Sequence, residues 1–208
     1  MCIAGPSGAG KTCFLFDLLE KRAKLIKPIP KNIFFFYGVK QKVFHRYPYI
    51  TFIEGLPDIN MFSDADLDGS IIIIDDQMEN IDQSVVSLYS KHSHHKNFSA
   101  VFLTQSFYYR GNKFTRDLTL NCNVLIMFDT PRDRGIIANL SRQLYPGNSN
   151  FLTSVFKRII ENPYAYIYID LRVGVPEPLR IRTRVLEDAP AAFLQPDFDL
   201  SKWNQRRA

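Results

Sequence analysis

Short apolar runs alternate with amphipathic stretches along this chain. After a four-residue run, "MCIA" at 1–4, come "NIFFFYG", "TFIEGLPDI", "SIIIIDDQM", "SAVFLTQS" and "NVLIMF", each rich in β-branched or aromatic residues. Continuous apolarity over so few residues predicts strands buried on both faces of a mainly parallel sheet, because a strand with one wet face would alternate. Between these runs, apolar residues recur at helical spacing. Phe14, Leu15, Leu18 and Leu19, with Arg22, form one such stretch, which ends before Pro28 and Pro30. Ile81, Val85, Leu88 and Tyr89 make a second stripe, and Ile136, Ile137, Leu140 and Leu144 a third. Strands alternating with helices predict an α/β domain whose helices cover the sheet.

The last third changes character. A helical pattern over 151–161 stops at Asn162 and Pro163, and two strictly alternating runs follow, "AYIYIDLR" and "LRIRTRVL", separated by "VGVPEP". Alternation predicts a half-exposed antiparallel hairpin. Its polar face carries Tyr166, Tyr168 and Arg172 opposite Arg180, Arg182 and Arg184, and reads either as a solvated arginine face over packed tyrosines or as a DNA-facing stripe. From 187 the chain is rich in Pro and Ala without a period, which predicts a tail over 187–208. With 208 residues, 46% of them hydrophobic, the chain has material for one core and hence one domain, over 1–186. The run at 1–4 is short for a central strand, which suggests that the domain begins upstream of it.

Charge narrows the picture little. A net charge of +5 and a pI near 9.1 lean toward an anionic partner. Cys2, Cys13 and Cys122 are odd in number and far apart, so they predict no disulfide framework and a reducing compartment. No apolar run reaches the roughly 18 residues of a membrane span, and no signal peptide is evident, so the expectation is an intracellular chain with no membrane partner. His92, His94 and His95 lie close enough to ligate a metal, but no second cluster accompanies them, and a partly exposed helix end accounts for them as well.

The chemistry begins at "GPSGAGKT", residues 5–12, which fits G-x-x-x-x-G-K-[ST] throughout. Gly5, Gly8 and Gly10 let the backbone curl through Pro6, Ser7 and Ala9 so that successive N–H groups face an anion. Lys11 would reach the β- and γ-phosphates of a nucleotide and Thr12 would offer its hydroxyl to Mg²⁺. The helix that follows aims its positive dipole end at the same charge.

Four isoleucines, Ile71 to Ile74, run into Asp75 and Asp76. Acids at the carboxyl end of a strand in an open α/β sheet face the ligand crevice. Asp75 is the candidate Mg²⁺ ligand and Asp76 the candidate base that orients or deprotonates water. One of the two could instead cap the helix that follows. Thr104 and Gln105 end the next strand, where a carboxamide can donate to a γ-phosphate and accept from water. The order of P-loop, acid pair and polar strand end predicts a Mg²⁺-dependent ATP hydrolase of the additional-strand catalytic-acid class. GTPase signatures are misplaced: "DLDG" at 66–69 precedes the isoleucine strand, and "NKFT" at 112–115 lacks the base-reading aspartate. A nucleotide or small-metabolite kinase remains the alternative enzyme, and a nucleotide-binding remnant of an integrated virus the alternative without turnover.

"GPSGAGKT", "IIIIDDQM", "LTQS" and "LTLNCNVLIMFDTPRDRGIIANLSRQLYP", with "SHHKN" and "YIYIDLR", resemble the FtsK/HerA-type DNA-packaging ATPases of double-stranded DNA viruses, in particular those of Maverick/Polinton elements, adintoviruses and poxvirus-like relatives. The likeness spans about residues 3–186. It implies a RecA/FtsK-like ATPase that binds ATP and Mg²⁺ and forms a homo-oligomeric ring. Such a ring hydrolyses ATP at subunit interfaces and drives double-stranded DNA into a viral capsid or through its portal vertex, inside the host cell where virions assemble. Many relatives of the wider class carry Glu where Asp76 stands. Phosphoryl transfer calls for a cation beyond Lys11, and Arg110 and Arg116 follow the Gln105 strand; in the resembling family an arginine precedes the "LN" as Arg116 precedes Leu120 and Asn121. Arg110, Lys113, Arg132 and Arg134 are candidates for channel contacts with DNA.

Overall fold

A computed structural model describes residues 1–107, 112–131, 134–188 and 191–192 of the chain. The apolar runs become strands: β1 (Cys2–Ala4), β2 (Ile33–Tyr37), β3 (Thr51–Glu54), β4 (Ile71–Asp75), β5 (Ser99–Thr104) and β6 (Val124–Phe128). The alternating runs become β7 (Tyr166–Asp170) and β8 (Ile181–Thr183), and β9 (Ala191–Ala192) lies beyond them. Among the described residues these nine make one sheet, in the order β3-β2-β4-β5-β1-β6-β7-β8-β9. Strands β1 to β6 run parallel, and β7 to β9 are antiparallel to their neighbours.

The helices are α1 (Lys11–Glu20), α2 (Arg22–Leu25), α3 (Asp64–Leu67), α4 (Gln83–Ser87), α5 (Ser93–His95), α6 (Lys113–Leu120), α7 (Arg134–Leu144) and α8 (Phe151–Ile159). They cover both faces of the sheet. On one face Ile72, Ile74 and Phe102 meet Val85, Leu118, Ile136 and Phe156 from α4, α6, α7 and α8. On the other, Ile3, Ile73 and Leu103 meet Phe14, Leu15 and Leu19 from α1 and Phe44 from a 3₁₀ turn over Lys42–Arg46. Successive residues of β4 therefore serve opposite cores, which is why that strand reads as unbroken apolarity.

Three expectations need correction. Strand β3 is an edge, with Thr51 and Glu54 exposed, because among the described residues only β2 pairs with it; it is not buried on both faces. The first helix does not run on through Arg22, since Lys21 leaves it and α2 starts afresh; Arg22 lies instead 4.0 Å over the ring of Tyr49. Neither Asp75 nor Asp76 caps the following helix. Asp82 does, accepting from the N–H groups of Ser84 and Val85 at 3.0 and 3.1 Å. The alternating runs do form the expected antiparallel hairpin: β7 pairs with β8, burying Ile167, Ile169 and Ile181 on one face while Tyr166, Tyr168 and Arg182 on the other stay half-buried.

Helix α4 passes through a π-helical turn, Leu88–His92, into α5, where His92 is half-buried and His95 exposed. The tyrosine and arginine face of the hairpin is built around Asp170, whose side chain is 1% exposed. Arg172 reaches its oxygens at 2.9 and 2.7 Å, Arg182 at 3.1 Å, and the Arg182 guanidinium lies 4.4 Å over the Tyr168 ring. Burial pushes the Asp170 carboxyl up, but the two arginines outweigh it and hold the group below its ordinary value. Removing the acid strands cations that can still reach water, so Asp170→Ala should cost about 1–3 kcal/mol in chemical denaturation. Arg172→Ala, on the exposed partner, should cost under about 1 kcal/mol. Equal costs would mean that the buried acid does not anchor the hairpin.

Candidate nucleotide site

Strand β1 is central, and the chain leaves it at Gly5, whose N–H donates to the Thr104 carbonyl at 3.1 Å. A Cβ on Gly5 would stand 2.8 Å from Cβ of Phe128, so only glycine fits between the loop and β6. Gly8 and Gly10 take left-handed φ of 78° and 100°. Lys11 opens α1 with its side chain folded back, and its Nζ donates to the carbonyls of Gly5 at 2.8 Å and Pro6 at 3.1 Å. Thr12 follows in the first turn of α1, beside Lys11 on the rim of a cavity of about 780 Å³.

Strand β4 delivers Asp75 buried, within 3.4 Å of the Gln41 amide nitrogen, and then turns out at Asp76 with φ of 51°. Left-handed backbone at a non-glycine residue costs of order 1–3 kcal/mol and tends to persist where a side chain must be aimed. Here the Asp76 carboxylate is straddled by Gln105 from the end of β5, whose Nε2 donates to its two oxygens at 2.9 and 2.8 Å. Thr104 turns its hydroxyl inward to the Ser106 carbonyl at 2.7 Å, leaving Gln105 as the group that faces the acid. Lys11, Thr12, Asp75, Asp76 and Gln105 all line the one cavity. Strand β5 lies between the P-loop strand and the acid strand, and that inserted strand is the hallmark of the additional-strand class expected from the motif order.

The charges are strained. Burial pushes the Asp75 carboxyl up to about 6, with the Asp76 charge adding to the shift and Lys11 opposing it. Burial pulls Lys11 below its ordinary value against the attraction of Asp76 and Asp75. A hydroxyl and a carboxylate form a hard oxygen donor set suited to Mg²⁺, and a glycine-rich loop leading into a helix N-terminus beside a buried ammonium suits a polyphosphate, so both groups fit the residues present.

Of the remaining predicted basic residues, those described, Lys113, Arg116 and Arg134, do not line the cavity. Arg116 is exposed on α6 and is not among the residues lining the cavity, and Arg110 and Arg132 lie outside the described residues. Lys113 sits 4.9 Å over the Phe114 ring, and Arg134 pairs with Asp129 at 3.2 Å. The cavity also holds residues that were not predicted for the site: Gln41, Phe128, Tyr164, Tyr166 and Leu186. Gln41 sits in a loop without a pattern, and Tyr164 follows a helix stop. Among the described residues no helix is long and apolar enough to cross a membrane.

No protein-family model matches the sequence, and no curated protein matches it. Solved structures do match. The chain is similar to the genome packaging NTPase B204 from Sulfolobus turreted icosahedral virus 2 in complex with ATP-gammaS, at 12% identity and a TM-score of 0.51, over 88% of this chain and 94% of that one. The same protein in complex with AMPPCP matches at 11% identity and a TM-score of 0.51, over 82% and 91%. The likeness is one of fold: a mixed α/β P-loop NTPase with a mainly parallel sheet and antiparallel C-terminal strands.

A carboxyl whose value is raised in the folded state favours folding at low pH, and that contribution is lost as pH rises through the folded value, here about 6. Asp75→Asn removes the group. Without nucleotide or metal, the variant should equal wild type near pH 4 and exceed it by about 1–3 kcal/mol near pH 7.5 in urea denaturation. A wild type as stable as the variant at neutral pH would show that the carboxyl is not held in a costly place.

Proposed function

We propose that this chain is the ATP-hydrolysing subunit of a ring that drives double-stranded DNA into a viral capsid. The observation that carries the hydrolytic part is the Gln105 amide holding both oxygens of Asp76 at the mouth of the P-loop cavity. A base that is aimed and pinned beside a triphosphate cradle serves attack by water. The loop backbone over residues 7–12 and the Lys11 ammonium would bind the β- and γ-phosphates. A bound Mg²⁺, held by Thr12 and Asp75, would neutralise charge on those phosphate oxygens. Asp76 takes the proton of a water whose oxygen attacks the γ-phosphorus, and the bond from that phosphorus to the β-bridging oxygen breaks. Gln105 keeps the carboxylate aimed and links its position to the end of β5.

DNA as the driven partner, with the capsid or portal vertex as its destination and the site of virion assembly as the place of work, rests on two supports. One is the resemblance to FtsK/HerA-type packaging ATPases over residues 3–186. The other is the fold shared with B204, itself a genome packaging NTPase. In such a ring Arg116, exposed on α6 and not among the residues lining its own cavity, would supply the second cation to a neighbouring subunit.

Purified protein should hydrolyse ATP, and duplex DNA should raise the rate several-fold in assemblies whose mass is measured in the same solution. Phosphorylation of a small acceptor without DNA stimulation would favour a kinase instead. Arg116→Ala should bind ATP normally and lose hydrolysis by about 10³-fold or more. Mixed with Lys11→Ala subunits, it should regain activity at interfaces that pair an intact pocket with an intact arginine; a co-assembled mixture that stays inactive would rule out action in trans.

A further inference from the structure

The cavity does not end at the P-loop. On one side of β1 the sheet order places β5 and β4, whose carboxyl ends carry Gln105, Asp75 and Asp76. On the other side lie β6 and β7, and there the same cavity continues along Cys13, Phe14, Asp17, Tyr164, Tyr166 and Leu186. If the triphosphate lies in the P-loop with its γ end toward the acids, ribose and base must extend the opposite way. That end of the cavity is aromatic. Phe14 and Tyr166 meet edge to face at 4.7 Å between ring centres, and Phe128 and Tyr166 are 5.5 Å apart.

Tyr164 differs from these three rings. It is 74% exposed while lining the cavity, and its φ of 59° is a conformation that a non-glycine residue adopts at a cost. Its ring stands against the phosphate loop: a Cβ built on Gly10 would lie 3.7 Å from Cδ1 of Tyr164 and 3.6 Å from Cε1 of Phe128. A large aromatic side chain, held in a costly backbone conformation with its surface open to a ligand cavity, is poorly explained by packing, since burial contributes little to it.

We infer that Tyr164 is the platform on which the base of the bound nucleotide stacks, with Phe128 and Tyr166 as the floor beneath it. The inference rests on the reading of residues 5–12 as a triphosphate site. It goes beyond that reading by assigning the base, and so the distinction between a nucleotide and a bare polyphosphate, to the turn that enters β7. Stacking engages the face of a base, whose π surface prefers an aromatic partner to water.

The test compares equilibrium binding of ATP and of inorganic tripolyphosphate, each with Mg²⁺, to wild type, Tyr164→Ala and Tyr164→Phe. Tyr164→Ala should weaken ATP about tenfold and leave tripolyphosphate unchanged. Tyr164→Phe, which keeps the ring, should bind both as wild type does. Unchanged ATP affinity in Tyr164→Ala would overturn the assignment while leaving the triphosphate site intact. Equal loss of both ligands would overturn it too, because the ring would then be supporting the loop. A wild type that binds neither ligand would remove the triphosphate site and the base platform together.

Discussion

Parallel pairing sets the level at which every functional group leaves the sheet. Ala4 stands opposite Thr104 on one side and Met127 on the other, while Asp75 stands opposite Leu103. The residues that follow, Gly5, Gln105, Phe128 and Asp76, therefore emerge together at one edge, from segments scattered over more than a hundred positions of chain. A slip of one residue in any of these strands would turn its buried set toward the wrong core and carry its site residue out of reach. The two cores on either face of β4 hold that register, and the site inherits its precision from them.

The charges at that edge oppose folding. Asp75 and Lys11 are both shifted against their charged forms by burial, and neither fully compensates the other. Such a site gains most from ligands that restore the missing partners, an anion at the ammonium and a cation at the carboxylate. Asp76 adds backbone strain, set against the two hydrogen bonds from Gln105. Stability is thus spent where phosphate chemistry is expected, and the apolar layers of α1, α4, α6, α7 and α8 supply it.

What could be read from sequence was what is local. The P-loop, the isoleucine run into Asp75 and Asp76, and Gln105 at the end of β5 each occupy a few consecutive residues, and the order of those segments predicted the class of sheet that the structure has. The misread parts depend on what lies across space. "TFIEGLPDI" is apolar enough for an inner strand, yet β3 is an edge because, among the described residues, nothing pairs beyond it. Helical periodicity ran on past Lys21 although the chain turns there. Asp170 drew no notice in the sequence, and the arginines that hold it come from either side of the hairpin turn. Tyr164 carries no motif, and only the approach of β7 to β6 brings it beside Gly10.

The account turns on Asp76 as the group that takes a proton from water while leaving nucleotide binding to the P-loop. Its most direct test is Asp76→Asn, an isosteric change, with ATP affinity and single-turnover hydrolysis measured on the same preparation. The expected result is affinity within a few-fold of wild type and hydrolysis slowed by about 10²-fold or more. Hydrolysis at close to the wild-type rate would contradict the account and move the base elsewhere.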